Sequence, residues 1–228
     1  MQGDQNKNDK NFTPDNYEEF YENHFFRPID ADLATSVDTV YPRFKWAIDH
    51  IQAIGPKNLL DIGCLDGSFA LTVARKLQTT VMGIDLSVDG IRLAKERTGD
   101  LPAKFEQGSA EVILTQLARQ KKKFDVITLF EVIEHVEDVP KLLKLIDKVL
   151  APGGSVLLST PEFEGPIYGL DDEQNTCHIR LYTMQPEDYE KENKFGHIRK
   201  ATSMPKEIGE TRIQEMTQVG EQICVYYK

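Results

Sequence analysis

From Leu59 to Phe69 the chain reads Leu-Leu-Asp-Ile-Gly-Cys-Leu-Asp-Gly-Ser-Phe, an apolar run followed by a turn carrying Gly63 and Gly67 and then the start of a helical pattern. No other stretch restricts the fold as tightly. A strand that enters a helix through a glycine-bearing turn opens a parallel sheet, and ligands of such sheets bind beyond the carboxyl ends of the strands. Glycine is suited to that turn because it adopts backbone conformations closed to residues with a Cβ and lets the backbone approach a ligand.

The same rhythm continues downstream. Short apolar runs at Asn58–Ile62, Thr80–Ile84, Ala103–Gln107, Phe124–Leu129 and Ser155–Ser159 are predicted strands. Amphipathic stretches at Ser68–Leu77, Val88–Arg97, Ala110–Arg119 and Asp138–Leu150 are predicted helices between them, and Ala151-Pro152-Gly153-Gly154 breaks the last. The expected fold class is α/β: a single Rossmann-like doubly wound sheet, mostly parallel with an antiparallel last strand, plus an N-terminal helical extension.

The 228 residues suit one domain. Residues 1–14 are rich in Asn, Asp, Lys and Gln and form the expected disordered tail. Residues 15–54 form the helical extension, with Tyr17, Phe20, Tyr21 and His24, then Val40, Phe44, Ala47, Ile48 and Ile51, at helical spacing. Residues 55–228 form the main domain. Within it Pro161–Arg180 is predicted to be a long loop, followed by a helix over Gln185–Asn193 and closing strands near Phe195–Thr202 and Gln222–Tyr227.

Hydrophobic residues at 40% and charged residues at 28% are ordinary for a soluble domain. Apolar stretches fall well short of the roughly 20 residues that cross a bilayer, so no membrane span is expected. Met1–Lys10 is polar, and a cytoplasmic location is the expectation. Cys64, Cys177 and Cys224 are too scattered for a disulfide framework and read as reduced thiols. A formal charge of −10 repels polyphosphate, which disfavours nucleic acid as a partner, although a local basic patch suits a short RNA end. Lys121-Lys122-Lys123 reads as a solvated turn before a buried strand. Oligomeric state has no signal.

The chemistry gathers at the strand ends. Asp61 stands two residues before the first turn glycine, where a dinucleotide pyrophosphate would be repelled and a cationic sulfonium with an α-amino group would be favoured. Asp85 ends the second strand, and its carboxylate suits paired ribose hydroxyls. Each acid alone also reads as a turn former or helix cap. Ser109-Ala110 follow the third strand; Ser109 serves an adenine edge or a helix N-cap. Glu131, Glu134 and His135 are spaced to share one face of a helix after the fourth strand. Such a set binds a divalent cation, or caps a cofactor with His135 orienting or deprotonating a substrate hydroxyl.

From Asn58 to Thr183 the chain resembles the class I S-adenosylmethionine-dependent methyltransferases. The resemblance rests on Leu-Asp-Ile-Gly-Cys-x-x-Gly, the Asp85 strand end, Phe124 to Val136 with its Glu-x-x-Glu-His unit, and Pro152-Gly153-Gly154. It implies that Asp61, Gly63 and Gly67 surround the methionine part of the cofactor, that Asp85 holds the ribose, and that Ser109 and Ala110 flank the adenine. Cys64, Leu86 and Phe130 complete the expected cofactor set. The extension would lie over the site as a lid, with Arg43 reaching the cofactor carboxylate. Two positions depart from the family pattern: Leu65 stands at the usual middle glycine and Ser109 at a position often acidic. The subgroup similar to ubiquinone-pathway O-methyltransferases and small-RNA 3′-terminal methyltransferases adds magnesium or another divalent metal at Glu131, Glu134, His135 and His178.

The expected activity is methylation of a small-molecule acceptor at a hydroxyl, which His135 deprotonates with Glu131 as its partner or as a metal ligand. Methylation of an RNA 3′ end with a metal is the alternative. No Asn/Asp-Pro-Pro-aromatic motif follows the fourth strand and no Pro-Cys nucleophile occurs, which disfavours DNA modification. A nicotinamide-dependent oxidoreductase would carry Gly-x-Gly-x-x-Gly without the preceding acid. A non-catalytic cofactor-binding module is the remaining rival, kept open by Leu65.

Overall fold

Strand β1 (Asn58–Ile62) lies between β2 (Thr80–Asp85) and β4 (Phe124–Phe130) and runs parallel to both. The computed structural model describes residues 37–160, 181–182, 201–202, 207–208, 211–218 and 222–228. Outside β2 lies β3 (Ala103–Gln107), and outside β4 lies β5 (Leu150–Thr160), again parallel. The strand order β3-β2-β1-β4-β5 reverses direction of progression between β1 and β4. That reversal leaves a crevice beyond the carboxyl ends of β1 and β4.

Helices cover both faces. On one face α2 (Pro42–Ile54), α3 (Ser68–Leu77) and α4 (Val88–Thr98) pack Phe44, Ile48, Ile51, Phe69 and Ile91 against Leu59, Val81 and Val126. On the other, α5 (Ala110–Arg119) and α6 (Val139–Val149) pack Ile113, Leu114, Leu142 and Ile146 against Leu60, Ile62, Ile127 and Leu129. Successive strand residues point to opposite faces, so Leu59 and Leu60 enter different cores. By the same period Asp61 shares the face of Leu59. A four-residue α1 (Val37–Val40) precedes α2; Pro42 at the helix start separates them, and Gly55 at φ 65° ends α2. Lys123 Nζ donates to the carbonyls of Lys148 and Leu150 at 2.8 and 3.2 Å, so one member of the basic run closes the end of α6.

The expectation of a mostly parallel sheet with one antiparallel last strand is corrected. The five-stranded Rossmann-like block is parallel throughout. Among the described residues antiparallel pairing is confined to an appended set of three strands, β8 (Glu207–Ile208), β9 (Thr211–Gln218) and β10 (Gln222–Tyr227), which extends the sheet from β5. Only the short connection 219–221 joins β9 to β10, and a crossover to a parallel neighbour needs a dozen residues or more. Polar Thr211-Arg-Ile-Gln-Glu-Met-Thr-Gln hid β9 from a search for apolar runs.

β5 also begins earlier than expected. It pairs Leu150 with Phe124, then shifts register so that Ser155 meets Val126, with Gly153 at φ 75° inside the irregularity. β6 (Leu181–Tyr182) and β7 (Ala201–Thr202) form a separate parallel pair. Residues 1–36, Pro161–Arg180 with Cys177 and His178, the expected helix at Gln185–Asn193 and most of Phe195–Thr202 lie outside the described residues. No helix among the described residues is long and apolar enough to cross a membrane.

Candidate active site

The register that pairs Asp61 with Thr128 on one side and Gly83 on the other sets the first acid at the floor of the crevice. Asp61 is only 3% exposed, and Thr128 Oγ1 donates to its Oδ1 at 2.7 Å. Burial pushes its carboxyl up to about 7, the Thr128 hydroxyl pulls against that shift, and the Asp85 charge adds to it. Asp85, at the end of β2, is 7% exposed. Its Oδ2 accepts the Leu65 N–H and its Oδ1 the Ser87 N–H, both at 2.8 Å. The second acid therefore anchors both turns that flank it.

The turn between β1 and α3 is shaped as much by packing as by access. A Cβ on Gly67 would stand 2.8 Å from Ala94 Cβ and 2.9 Å from Phe105 Cζ. Gly67 keeps α3 close to α4 and β3, and it is not among the residues lining the cavity. At Gly63 a Cβ would meet Val132 Cγ2 at 2.3 Å, and φ is 76°. Leu65, at the family's middle-glycine position, keeps φ 48° despite its side chain. Asp66, which the sequence reading left without a role, accepts Ser68 N–H and Oγ at the start of α3 and pairs with Arg97 at 2.7 Å.

These elements enclose a cavity of about 690 Å³. Asp61, Gly63, Cys64, Asp85, Leu86, Ser109, Ala110, Phe130, Arg43, Glu131 and His135 all line it. Burial pushes the Cys64 thiol well up, which keeps it protonated. Ser109 precedes α5 without making a side-chain cap bond, so its hydroxyl is not spent on the helix. Glu111, one residue beyond Ala110, lines the rim and is ion-paired with Lys141 of α6.

Phe130 stands in the expected cofactor set, but sequence reasoning missed the two rings that make it part of an aromatic wall. Phe44, Phe69 and Phe130 come from α2, α3 and β4, with ring centroids 4.9, 5.1 and 5.9 Å apart. The Arg43 guanidinium stacks over Phe44 at 4.8 Å. Phe44 had a helical-period signal that fitted core packing equally well. Nothing local marked it as a cavity residue.

The Glu131, Glu134 and His135 set is not one helix face. Glu131 follows β4 in a left-handed conformation, φ 57°, and a single 3-10 turn, Ile133–His135, carries the other two. Ser159 Oγ donates to Glu131 Oε1 at 2.7 Å, and Thr160 Oγ1 donates to Glu134 Oε2 at 3.1 Å. Glu131 and His135 line the cavity, whereas Glu134 does not and is 1% exposed. Burial first, and the neighbouring Glu131 second, push the Glu134 carboxyl well up. Among the described residues no three His, Cys, Asp or Glu side chains are arranged to hold a metal ion. His178, the fourth residue of the expected metal set, lies outside the described residues.

A family profile described as "Methyltransferase domain" matches residues 43–201, more than half of the chain. Ubiquinone biosynthesis O-methyltransferase of Cupriavidus pinatubonensis is 34% identical over 120 residues, covering 52% of this chain and 46% of that protein. The Paraburkholderia phymatum protein of the same name is 36% identical over 120 residues, with 52% and 50% covered. The chain thus spans about half the length of the curated relatives it matches. A crystal structure of a Nostoc punctiforme protein assigned as an O-methyltransferase superposes with a TM-score of 0.57 at 18% identity, covering 86% of this chain and 59% of that one, which is a likeness of fold. With the profile spanning both acids, the glycine turn and the Glu131 to His135 segment, the chain belongs to the methyltransferase domain family.

Proposed function

We propose that this chain transfers a methyl group from S-adenosylmethionine to a hydroxyl of a small-molecule acceptor. The observation that carries the reading is the pair of buried carboxylates, Asp61 and Asp85, at adjacent strand ends facing one cavity with an aromatic wall. An acid as dry as Asp61 is stabilised in its charged form by a cation, and the cofactor's α-ammonium supplies one. Asp85 retains acceptor capacity beyond its two backbone bonds, because each carboxylate oxygen has two lone pairs, and this suits ribose hydroxyls. Ser109 and Ala110 line the same cavity, and a short polar side chain with exposed backbone suits an adenine edge.

When bound, S-adenosylmethionine supplies an electrophilic methyl group that an in-line nucleophile displaces from sulfur. The protein's contribution is alignment and exclusion of water. Phe44, Phe69 and Phe130 give an apolar wall for that purpose. His135, at the cavity edge, takes the acceptor hydroxyl's proton as general base, and Glu131, held by Ser159, supports it. The names of the curated relatives support a hydroxyl as the acceptor atom.

The test is isothermal titration with S-adenosylhomocysteine and with nicotinamide dinucleotides, followed by transfer of labelled methyl to a panel of hydroxylated aromatic acceptors. Micromolar binding of the first ligand, far weaker binding of the second, and labelled product are expected. Tight dinucleotide binding without S-adenosylhomocysteine binding would overturn the reading.

A further inference from the structure

Thr128 and Asp61 are register partners on parallel strands, and both side chains are buried, at 0% and 3% exposure. The Thr128 hydroxyl stands 2.7 Å from Asp61 Oδ1 and 3.5 Å from the Leu60 carbonyl oxygen. A hydroxyl has one proton to give and two lone pairs. Facing a carboxylate, it donates to Asp61. Facing a carboxylic acid, it can accept from Asp61 and turn its own proton to the Leu60 carbonyl. Both protonation states of a dry acid are thereby provided with a partner.

We infer that Thr128 is a positioning residue for cofactor binding, a reversible hydroxyl partner that lets Asp61 rest as the neutral acid and become the carboxylate when the cofactor's ammonium group arrives. The inference rests on the proposed placement of the methionine part beside Asp61. The balance is simple: Asp61 loses its proton to solvent, the carboxylate pairs with the ammonium, and Thr128 reverses from acceptor to donor. Cofactor capture then releases a proton.

The surroundings agree. Burial holds the Asp61 carboxyl at about 7. The charged and titratable groups lining the same cavity are Asp85 from β2, Cys64 and the Arg97-paired Asp66 from the turn after β1, Tyr41 and Arg43 at the start of α2, the Lys141-paired Glu111 of α5, and Glu131, His135 and Glu137 beyond β4. Of these, Asp85 opposes ionisation of Asp61. A hydrophobic residue at 128 would remove the hydrogen bond that favours the carboxylate and drive the carboxyl still higher.

The experiment is calorimetric titration of S-adenosylhomocysteine in phosphate and in imidazole at pH 6 and pH 8, the difference in heats giving the protons released. A carboxyl near 7 predicts release of about 0.9 proton at pH 6 and about 0.1 at pH 8. Thr128→Val is expected to release several-fold more at pH 8 than the unmutated chain and to bind several-fold more weakly there, while Thr128→Ser behaves as the unmutated chain. A structural role alone would lower the melting temperature of Thr128→Val and leave the proton count unchanged, overturning the inference. Release that vanishes in His135→Asn belongs to His135 and also overturns it. No binding in any buffer would remove the proposed function itself, whereas binding without proton release at pH 6 leaves that function standing and removes only this inference.

Discussion

The backbone N–H of Leu65 donates to Asp85 Oδ2 at 2.8 Å while Leu65 itself sits at φ 48°. The bond ties the glycine turn to the end of β2, and the left-handed backbone it fixes is one that a side chain opposes by about 1–2 kcal/mol. Leu65→Gly relieves that opposition and gives back about 0.5–1 kcal/mol through the greater freedom of the unfolded chain. The expected result is a net gain of about 0.5–1 kcal/mol in urea unfolding, with S-adenosylhomocysteine binding retained. A loss of stability would mean that the Leu65 side chain contributes more packing than its half-buried position indicates.

Asp85→Ala removes the acceptor of two backbone N–H groups as well as the proposed ribose contact. Affinity for S-adenosylhomocysteine is expected to fall by about tenfold to a hundredfold, equivalent to roughly 1.5–3 kcal/mol. Melting temperature is expected to fall too, because Leu65 and Ser87 lose their partner. Unchanged affinity in the folded variant would remove Asp85 from the cofactor site.

Stability should decline with rising pH on account of Asp61. Burial pushes its folded carboxyl up to about 7 from the ordinary 3.8, so the native state binds more protons than the unfolded chain between those values. The stabilisation is complete below about 4 and is lost as pH rises through 7. Asp61→Asn abolishes this titration and should gain about 2–3 kcal/mol on the unmutated chain between pH 5 and pH 8 in urea unfolding. Glu134, raised by burial, acts in the same direction, so Glu134→Gln should flatten the profile further. An equal slope in Asp61→Asn would show that Asp61 is ionised throughout.

What the sequence made legible was local. Strand, glycine turn and helix are contiguous between Asn58 and Leu77, so the period of their apolar residues and the position of Asp61 could be read directly. The partners of the acids could not. Thr128, Ser159 and Thr160 are ordinary strand residues until register sets them beside Asp61, Glu131 and Glu134. Phe44 reaches Phe69 and Phe130 only through packing of α2 on the sheet. The helical spacing of Glu131, Glu134 and His135 misled because Glu131 adopts φ 57° and no α-helix runs through the segment.

That geometry bears on how a methyl acceptor would be activated. His135 and Glu131 line the cavity, whereas Glu134 is buried behind them on Thr160. A metal-free general base needs only His135 within reach of the acceptor hydroxyl. On that mechanism His135→Ala should lower turnover by about a hundredfold while S-adenosylhomocysteine affinity is unchanged, and chelator should have no effect. Activity abolished by chelator and restored by magnesium or manganese would instead assign activation of the hydroxyl to a metal whose further ligands come from outside the described residues. Turnover that survives both chelator and His135→Ala would leave alignment of acceptor and methyl group as the whole contribution of the site, because neither a proton acceptor nor a Lewis acid would then be required.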